Sequence, residues 1–402
     1  VLPRGGGTSQ CGQTVNRAIV IDLSKHLNNL VSLDTEARSC VVEPGLVLDQ
    51  LNARLKPSGL WFPVDVSTAS RATLGGMAAN NSCGSRSIRY GLMRDNVAAI
   101  DALLADGSKA VFGETPGAAE GRNDSDAVAA LFRDLLALGG READEIRARF
   151  PDVLRRVGGY NLDALIPGKG PNNLAHLLVG SEGTLALSER ITLKLSPILA
   201  NKALGVCHFP TLYDAMDAAQ HLVTLGPTAV ELVDHTMIGL SRDIAMFRPV
   251  VEYTRRLTEI FHKHGTDGTW YAHASVGTLH VRPVLNLKLD QDVKAMRAIA
   301  EEAFEMVREY KGSHSGEHGD GIVRSEFHRE MFGDRMVESF EWVKDRMDPA
   351  GLLNPGRVVR PPKMDDRSLF RYAPDYAVPE LESVFDWSSY SGAGGGFQGA
   401  VE

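Results

Sequence analysis

Glycine-rich segments interrupt the chain at four places and limit how its backbone can fold. Three lie in the first half, RGGGTSQCG (4–12), STASRATLGGMAANNSCGS (67–85) and LLVGSEGTLAL (177–187), and the fourth is GSHSGEHGDG (312–321). Because glycine lacks Cβ, such segments bend sharply and approach a ligand closely. In the first segment, Gly5, Gly6 and Gly7 can turn consecutive N–H groups toward an anion such as a pyrophosphate. A plain turn has a similar composition, so this segment alone leaves both interpretations open.

Size, charge and cysteine usage exclude several classes of protein. A chain of 402 residues exceeds the usual size of a single hydrophobic core, which predicts two domains. The net charge of −8 argues against a nucleic-acid groove. Four cysteines without paired spacing indicate neither a zinc ribbon nor a disulfide framework and favour a reducing compartment. No signal peptide and no bilayer-spanning apolar run is evident.

The order of hydrophobic patterns predicts an α+β protein. Residues 18–113 are typical of short strands and turns around one helix at 46–55, with a hairpin at Asp106-Gly107. A helical pattern follows at 125–150, and 176–195 returns to strands on both sides of the loop 180–184. The segment LGGMAAN (74–80) is predicted as irregular, partly buried backbone. After residue 200, KALGVCHF, a helix at 212–225 and AVELVD predict a strand-helix-strand unit.

Two amphipathic helices are predicted in the second half, with a histidine-containing stretch between them. One presents Tyr253, Leu257, Ile260 and Phe261 on one face. The other carries six apolar residues on one face: Val293, Met296, Ile299, Ala303, Phe304 and Val307. The intervening stretch, WYAHASVGTLHVRP, is predicted to form paired strands. The glycine-rich tail from Ser388 has the composition of a linker.

His273, His280 and Glu317 are the candidate metal ligands. Two neutral imidazoles and one carboxylate bind a divalent ion and leave positions open for water or substrate, as a catalytic site requires. A lone histidine in a strand is more often an ordinary side chain, and Glu317 could merely cap a turn. Glycines surround all three residues, and the glycine-rich segment GSHSGEHGDG is too flexible to contribute much to folding stability. This composition therefore favours a functional role, here a metal site, over a structural one.

Neighbouring residues are candidates for the other roles in such a site. On an extended backbone His318 points away from Glu317 and is free to act as a base. His314 is the rival for either role, and Asp320 is expected to support a turn or a second-shell hydrogen bond. Arg282 lies two residues after His280 and therefore on the same face of a strand, where it can bind a second substrate carboxylate. A surface arginine is an equally good interpretation of Arg282.

Four motifs give the chain a specific resemblance. PRGGGTSQCG, TLGGMAANNSCGSRSIRYG, VGSEGTLAL and NPGR occur in the order typical of FAD-dependent enzymes of the p-cresol methylhydroxylase and vanillyl-alcohol oxidase superfamily. The resemblance implies that these motifs hold FAD. The implied cofactor-binding residues are Arg4, Gly5, Gly6, Gly7, Thr8, Ser9, Ser70, Thr73, Gly75, Gly76, Asn80, Asn81, Gly84, Tyr90, Glu182, Gly183, Thr184 and Asn354.

The same resemblance implies the domain plan. A PCMH-type FAD-binding domain, lacking its N-terminal lobe, is expected at 1–198. A ferredoxin-like α+β substrate domain with C-terminal helices is expected at 199–360, and a tail at 361–402. Members with covalent FAD carry a histidine where this chain has Thr8, which implies non-covalent FAD. The start at Val1 suggests a fragment.

HASVGTLH and GEHGDG are similar to motifs of metal-binding D-2-hydroxy-acid dehydrogenases within that superfamily. This resemblance implies oxidation of a D-2-hydroxy acid by hydride transfer to FAD, with D-2-hydroxyglutarate the first candidate and D-lactate or glycolate the next. Those enzymes usually place Gly-Asp-Gly-Asn between the histidines, where this chain has Ser275, Val276, Gly277 and Thr278. The difference affects predicted substrate contacts but preserves the ligand spacing. Zinc is the favoured ion, with manganese and iron as alternatives.

The longer strings resemble bacterial enzymes that fuse an FAD domain to an iron–sulfur module. The resemblance implies that such a module follows GGFQGAVE and that a stretch between AMFRPVV and EYTRRL is lost. The implied partners are a small 2-hydroxy acid and an electron acceptor: a quinone, an electron-transfer protein or the iron–sulfur module. A cytoplasmic site is expected, with peripheral membrane association as an alternative, and no nucleic acid. The oligomeric state stays open.

Three other functions are compatible with these residues. A non-catalytic flavin-binding subunit has no need of the histidines and Glu317. A two-histidine, one-carboxylate iron oxygenase uses the same ligands without flavin. An oxidase would pass electrons to oxygen and release peroxide.

Overall fold

The computed structural model describes residues 1–115, 126–168, 171–205, 207, 209, 212–231, 248–273, 278–370 and 373–374. The strands are β1 (Leu2–Arg4), β2 (Val20–Asp22), β3 (Leu30–Asp34), β4 (Ser39–Val42), β5 (Leu60–Trp61), β6 (Val97–Leu103), β7 (Lys109–Phe112), β8 (Leu187–Lys194), β9 (Ser196–Pro197), β10 (Gly268–His273) and β11 (Thr278–Pro283). The helices are α1 (Leu48–Leu55), α2 (Leu74–Asn80), α3 (Ser87–Tyr90), α4 (Met93–Asn96), α5 (Asp126–Arg141), α6 (Ala143–Arg149), α7 (Ala175–Leu178), α8 (Leu212–Val223), α9 (Arg248–Lys263), α10 (Asp290–Glu309), α11 (Gly321–Arg324), α12 (His328–Phe332) and α13 (Asp334–Met347). Within these ranges, no helix has the length and apolar character needed to cross a bilayer.

A five-stranded antiparallel sheet organises the first half of the chain. Its strand order is β3-β4-β8-β6-β7, so β8 enters the centre of a sheet begun more than eighty residues earlier. The predicted hairpin joins β6 to β7, where Gly107 has φ +86° and Asp106 Oδ1 accepts a hydrogen bond of 2.9 Å from the Ser108 N–H. The left-handed backbone at Gly107 explains the glycine at this turn.

The main hydrophobic core combines residues from both ends of the chain. Phe112 and Phe132 meet edge to face with ring centroids 5.1 Å apart, and both are fully buried. Phe340 of α13 enters the same core and contacts Tyr160 at 5.8 Å between ring centroids. The domain boundary at residue 198 stays a prediction, and the packing of α13 crosses it.

A smaller core supports the histidine hairpin. Strands β10 and β11 pair antiparallel, with Tyr271 opposite His280 and His273 opposite Thr278, which confirms the predicted paired strands. Both predicted amphipathic helices are present as α9 and α10. Leu257 and Phe261 of α9 pack with Ile299 and Met306 of α10 in one buried cluster. Val281 of β11 packs against this cluster, so the hairpin is supported by the two helices.

Three sequence predictions differ from the structure. Residues 74–80 form helix α2, because Thr73 caps the first turn by accepting a hydrogen bond from the Gly76 N–H, at 3.3 Å. The loop 180–184 follows helix α7 instead of a strand. The described residues 201–205 and 229–231 form no strand, while the rest of KALGVCHF and AVELVD lies largely outside the described ranges. The predicted helix between them is α8.

The tail from Ser388 lies outside the described residues, as do Ser275, Val276 and Gly277.

The fold predicts which thiols react. Cys11, Cys40 and Cys83 are buried, while Cys207 is exposed. Burial raises the pKa of the Cys40 and Cys83 thiols to about 12. Because the thiolate is the nucleophile, we expect one thiol per native chain to react quickly with 5,5′-dithiobis(2-nitrobenzoic acid) at about pH 8, and the remainder only after unfolding. Cys207→Ser should remove the fast phase, and fast labelling of that variant would contradict the buried positions.

Candidate active site

A cavity of about 560 Å³ joins the glycine-rich segments to the histidine hairpin. Most of the predicted site residues line it. They are Gly5, Gly6, Gly7, Thr8, Ser9, Thr73, Gly75, Gly76, Asn80, Gly84, Glu182, Gly183, His273, His280, Arg282, Glu317 and His318. The predicted cofactor residues and the predicted metal ligands therefore share one cavity, although they come from segments up to three hundred residues apart.

Glycine is required at the cavity wall because backbone segments pack against each other there. A Cβ on Gly5 would lie 1.9 Å from Thr73 Oγ1, and one on Gly6 would lie 2.2 Å from the Arg71 carbonyl oxygen. A Cβ on Gly84 would lie 1.5 Å from the Asp65 carbonyl oxygen. The first two glycine segments thus form one continuous wall that is poor in side chains. Such a wall suits a long phosphorylated cofactor, whose phosphates need backbone N–H groups at close range.

Six predicted cofactor residues do not line the cavity: Arg4, Ser70, Asn81, Tyr90, Thr184 and Asn354. Three of them make buried hydrogen bonds within the protein. Thr184 Oγ1 lies 2.7 Å from Tyr160 Oη, Asn354 Nδ2 donates to the Glu182 carbonyl at 2.8 Å, and Asn81 Oδ1 accepts from the Arg94 N–H at 3.0 Å. In this structure these three side chains stabilise the loops around the cavity through hydrogen bonds within the protein.

Glu182 connects the third glycine segment to the fourth. Its carboxylate accepts hydrogen bonds from the backbone N–H groups of Asp320, at 2.7 Å, and Gly321, at 3.0 Å. Burial, together with the charge of Asp320, raises the pKa of Glu182 to about 7. Both donors belong to the backbone at the end of the GSHSGEHGDG segment. Glu182 therefore holds the end of that segment in position.

The three predicted metal ligands converge as a compact centre. His280 Nε2 lies 3.1 Å from Glu317 Oε1, and His273 Nε2 lies 3.4 Å from Glu317 Oε2. Zinc–nitrogen bonds of about 2.0–2.1 Å in tetrahedral geometry place neighbouring ligand atoms about 3.3 Å apart. The donor set and its spacing therefore fit one divalent ion bound by two imidazoles and one carboxylate. Both histidines are 8% exposed, so few of these contacts are screened by water.

The charge balance of this centre favours a bound cation. Burial opposes protonation of His273, but the carboxylates of Glu231 and Glu317 outweigh it and raise the pKa of His273 to about 9. Burial also opposes ionisation of Glu317, yet hydrogen bonds from His273 and His280 lower its pKa well below the ordinary value. The centre thus attracts positive charge, which a proton or a metal ion can supply.

Each ligand is oriented by a second contact. Glu231 Oε2 lies 2.8 Å from His273 Nδ1, which places the proton on Nδ1 and leaves Nε2 for a metal ion. His280 Nδ1 lies 3.1 Å from His318 Nε2. If His280 binds an ion through Nε2, its Nδ1–H is the donor in that contact and His318 Nε2 is the acceptor. His318, the base predicted from the sequence, is therefore hydrogen-bonded to His280, a candidate metal ligand.

Arg155 was missed by sequence reasoning. Its side chain is 1% exposed, and Nη1 donates to Glu317 Oε2 at 2.7 Å. The same guanidinium donates to the Gly84 carbonyl through Nη2 and to Ser87 Oγ through Nε, at 2.8 Å. Arg155 thus links the second glycine segment directly to the carboxylate of Glu317, one of the candidate metal ligands. Glu231 was also missed, although a single glutamate within the apolar run AVELVD was a usable signal.

Comparison with known protein families finds two matches along the chain. Residues 1–112 match the FAD binding domain, and residues 198–254 and 247–358 match the C-terminal domain of FAD-linked oxidases. The chain therefore contains a segment similar to each of these two domains of FAD-linked oxidases. The two segments of the second match overlap near the point where a stretch was predicted to be lost. The mixed α+β architecture expected from the sequence agrees with these domains.

Several proteins similar to this chain are named as hydroxy-acid dehydrogenases. The D-2-hydroxyglutarate dehydrogenase of Pseudomonas putida is 27% identical, and the alignment covers 90% of this chain and 45% of that protein. The D-lactate dehydrogenase of Archaeoglobus fulgidus is 25% identical, with coverage of 90% and 86%. The chain spans about half the length of the first of these relatives. A solved alkyldihydroxyacetonephosphate synthase has the same fold, with a TM-score of 0.53, 14% identity and coverage of 88% of this chain and 71% of that one.

Glu231 offers a test of the candidate metal centre. Replacing an outer-shell carboxylate that orients a ligating histidine typically weakens metal affinity 10- to 100-fold. We expect Glu231→Gln to weaken Zn²⁺ binding by about that factor, because the amide no longer fixes the proton of His273 on Nδ1. Competition with a chromophoric chelator measures it. Glu301→Gln, which alters an exposed partner of Arg297, is the control and should leave affinity unchanged. Equal affinity in all three proteins would contradict a role for Glu231.

Proposed function

We propose that this protein oxidises a 2-hydroxy acid, with D-2-hydroxyglutarate as the first candidate, to the corresponding 2-oxo acid. The observation that supports it is the position of the His273, His280 and Glu317 centre on the wall of the cavity lined by the glycine segments. A cofactor along those segments and a cation at that centre would face one shared space. A purely structural flavin subunit has no use for such an arrangement.

The cofactor proposed is non-covalent FAD. The cavity wall of Gly5, Gly6, Thr8, Gly75 and Gly76 would hold its phosphates by backbone N–H groups. Thr8 has no imidazole for a histidyl bond to the flavin, so the cofactor should dissociate on unfolding.

The metal proposed is a divalent ion, with zinc favoured. His273, His280 and Glu317 would hold it, and three protein ligands leave positions for substrate oxygens. When bound, FAD supplies a hydride acceptor and the divalent ion acidifies a hydroxyl that contacts it. The protein has to orient the hydroxy acid and remove the hydroxyl proton.

His318 is the proposed proton acceptor. It lines the cavity, and burial lowers its pKa to about 4 although Glu317 acts in the opposite direction. The imidazole is therefore neutral at neutral pH and can accept a proton. Its Nε2 is already in contact with His280 Nδ1, so proton transfer requires that hydrogen bond to be exchanged for one to the substrate. Oxidation removes a proton from the hydroxyl and a hydride from Cα, and His318 accounts for the proton alone.

Arg282 is the proposed partner of a distal substrate carboxylate. It is exposed on β11 and lines the same cavity as His280, as strand alternation predicts. A planar guanidinium binds a carboxylate through two parallel hydrogen bonds. D-2-hydroxyglutarate has a second carboxylate and D-lactate has none, so Arg282 bears on the choice between them.

Electrons must leave the reduced cofactor for an acceptor of another kind. A quinone, an electron-transfer protein or a fused iron–sulfur module are the proposed acceptors, and the protein is proposed to work in the cytoplasm or at the inner face of the membrane. Separate domains at 1–198 and 199–360 are part of the same proposal.

Anaerobic mixing of the flavin-loaded protein with D- and L-2-hydroxy acids tests the reaction. We expect the flavin absorbance near 450 nm to bleach with D-2-hydroxyglutarate and to persist with the L-isomer. Arg282→Met should slow bleaching by D-2-hydroxyglutarate at least tenfold and leave any bleaching by D-lactate unchanged, since one bidentate contact is lost. Lys288→Met, an exposed cation just beyond β11, is the control. Failure of every hydroxy acid to bleach the flavin would favour the non-catalytic subunit.

His318→Ala separates the proton acceptor from cofactor binding. General base catalysis typically contributes 10²–10⁴-fold, so turnover should fall by about that range while the yellow cofactor stays bound. Stopped-flow reduction and flavin content per chain measure the two quantities. Undiminished turnover in a fully loaded variant would remove His318 from the mechanism. Exposed His262→Ala is the matched histidine control.

A further inference from the structure

The segment 312–321 also contributes two residues to a second group of two histidines and one carboxylate. His314, Asp320 and His328 each offer one ligand atom, and these atoms lie within 4.8 Å of one another. Their side chains are 0%, 1% and 3% exposed. The group shares no residue with the centre at His273, His280 and Glu317, and none of its members lines the cavity.

Several polar atoms of this group have no hydrogen-bond partner among the described residues. They are both ring nitrogens of His314 and Oδ1 of Asp320; His314 Nε2 and Asp320 Oδ1 face each other at 3.4 Å without forming a hydrogen bond. Buried polar atoms are almost always paired, because they lose their hydration on folding. His314 is surrounded by rings, with centroids 5.6 Å from Phe304 and 5.9 Å from Phe332, so no neighbouring polar side chain compensates on those sides. The unpaired atoms point to a ligand.

The imidazole of His328 lies between two oxygen acceptors. Its Nδ1 lies 2.9 Å from the Val358 carbonyl oxygen and its Nε2 lies 2.8 Å from Asp320 Oδ2. Both of these partners are acceptors, so each ring nitrogen of His328 needs either a proton or, at Nε2, a metal ion between it and the oxygen that it faces. A backbone carbonyl on the outer nitrogen is also the usual partner of a metal-bound histidine.

The carboxylate of Asp320 faces both imidazoles. Its Oδ1 lies 3.4 Å from His314 Nε2, and its Oδ2 lies 2.8 Å from His328 Nε2. Asp320 Oδ2 also accepts a hydrogen bond of 2.8 Å from the Gly159 N–H, which fixes the carboxylate from outside. A neutral imidazole and an ionised carboxylate are what metal binding requires.

We propose that His314 Nε2, Asp320 and His328 Nε2 form a second, structural site for a divalent transition-metal ion of the zinc type. His314 Nε2 lies 3.4 Å from Asp320 Oδ1, close to the edge of about 3.3 Å in a tetrahedral zinc site. The separation of 2.8 Å between His328 Nε2 and Asp320 Oδ2 is that of a hydrogen bond, and an ion would widen it by about 0.5 Å.

The position of the site gives it a structural role. His314 and Asp320 lie on either side of Glu317 and His318 in the chain. An ion that joins them closes this loop at its base and limits the positions that Glu317 and His318 can take. The site stands or falls independently of the hydroxy-acid reaction, because none of its ligands faces the cavity.

Metal content of the purified flavin-loaded protein tests the site. After loading with Zn²⁺ and dialysis, we expect two ions per wild-type chain, and one in His314→Leu, whose leucine fills the space between the phenylalanine rings. Glu317→Gln should also retain one ion, at the second site, and should lose the first. Exposed His262→Leu is the control and should retain two. A second ion that persists in His314→Leu, or its absence from the wild type, would overturn the proposal.

A second variant and a spectroscopic measurement keep the test open if His314→Leu fails to fold. Asp320→Asn keeps the shape of the side chain and an acceptor for the Gly159 N–H, and it should also lose one ion. In Glu317→Gln loaded with Co²⁺, the second site should give the visible d–d absorption of a low-symmetry, nitrogen- and oxygen-ligated ion. A Co²⁺-treated Glu317→Gln protein whose spectrum shows the flavin absorption and no d–d bands means that the buried group binds protons only.

Discussion

A buried carboxylate that must be matched by positive charge organises this molecule. Glu317 is 11% exposed on its side chain and is contacted by Arg155 on one side and by His273 and His280 on the other. An ionised group in such surroundings is stable only when it is fully paired. Arg155 reaches it from the first half of the chain and the histidines from the second half. The requirement to neutralise one carboxylate therefore brings the two halves together at the cavity.

The loop that carries Glu317 is also held by its backbone. Asn80 Nδ2 donates to the Glu317 carbonyl at 2.9 Å, and Gln13 Nε2 donates to the His318 carbonyl at 2.6 Å. Glu182 accepts from the N–H groups that follow. Asn80 and Glu182 belong to glycine segments and Gln13 directly follows one, and all three side chains line the cavity. These hydrogen bonds hold the backbone around Glu317 and His318 against the wall formed by the first half of the chain.

Local patterns in the sequence predicted the parts of the site that depend on local geometry. The alternation of a strand placed His280 and Arg282 on one face, and the spacing of His273 and His280 across a hairpin is observed in β10 and β11. Arg155 could not be found in this way, because its partner Glu317 is 162 positions away and nothing near Arg155 in the sequence requires a charge. Helix α2 was missed because two glycines at its start reduce helix propensity, whereas Thr73 and the close approach of Gly75 to Pro44 stabilise it in the fold.

The glycines of GSHSGEHGDG illustrate how a flexible composition yields a fixed loop. Gly319 has φ +77°, and a Cβ there would lie 2.4–2.7 Å from side-chain atoms of Gln13, Asn80 and Glu182. Gly321 has φ +54°, and its Cβ would lie 1.9 Å from the Cys11 carbonyl oxygen. Both positions combine a left-handed backbone with direct contact against the cofactor segments, and only glycine meets both conditions. The conformational freedom of the segment in the unfolded chain is thus removed by contacts on every side, and the folded loop can hold Glu317 and His318 in register with the cavity.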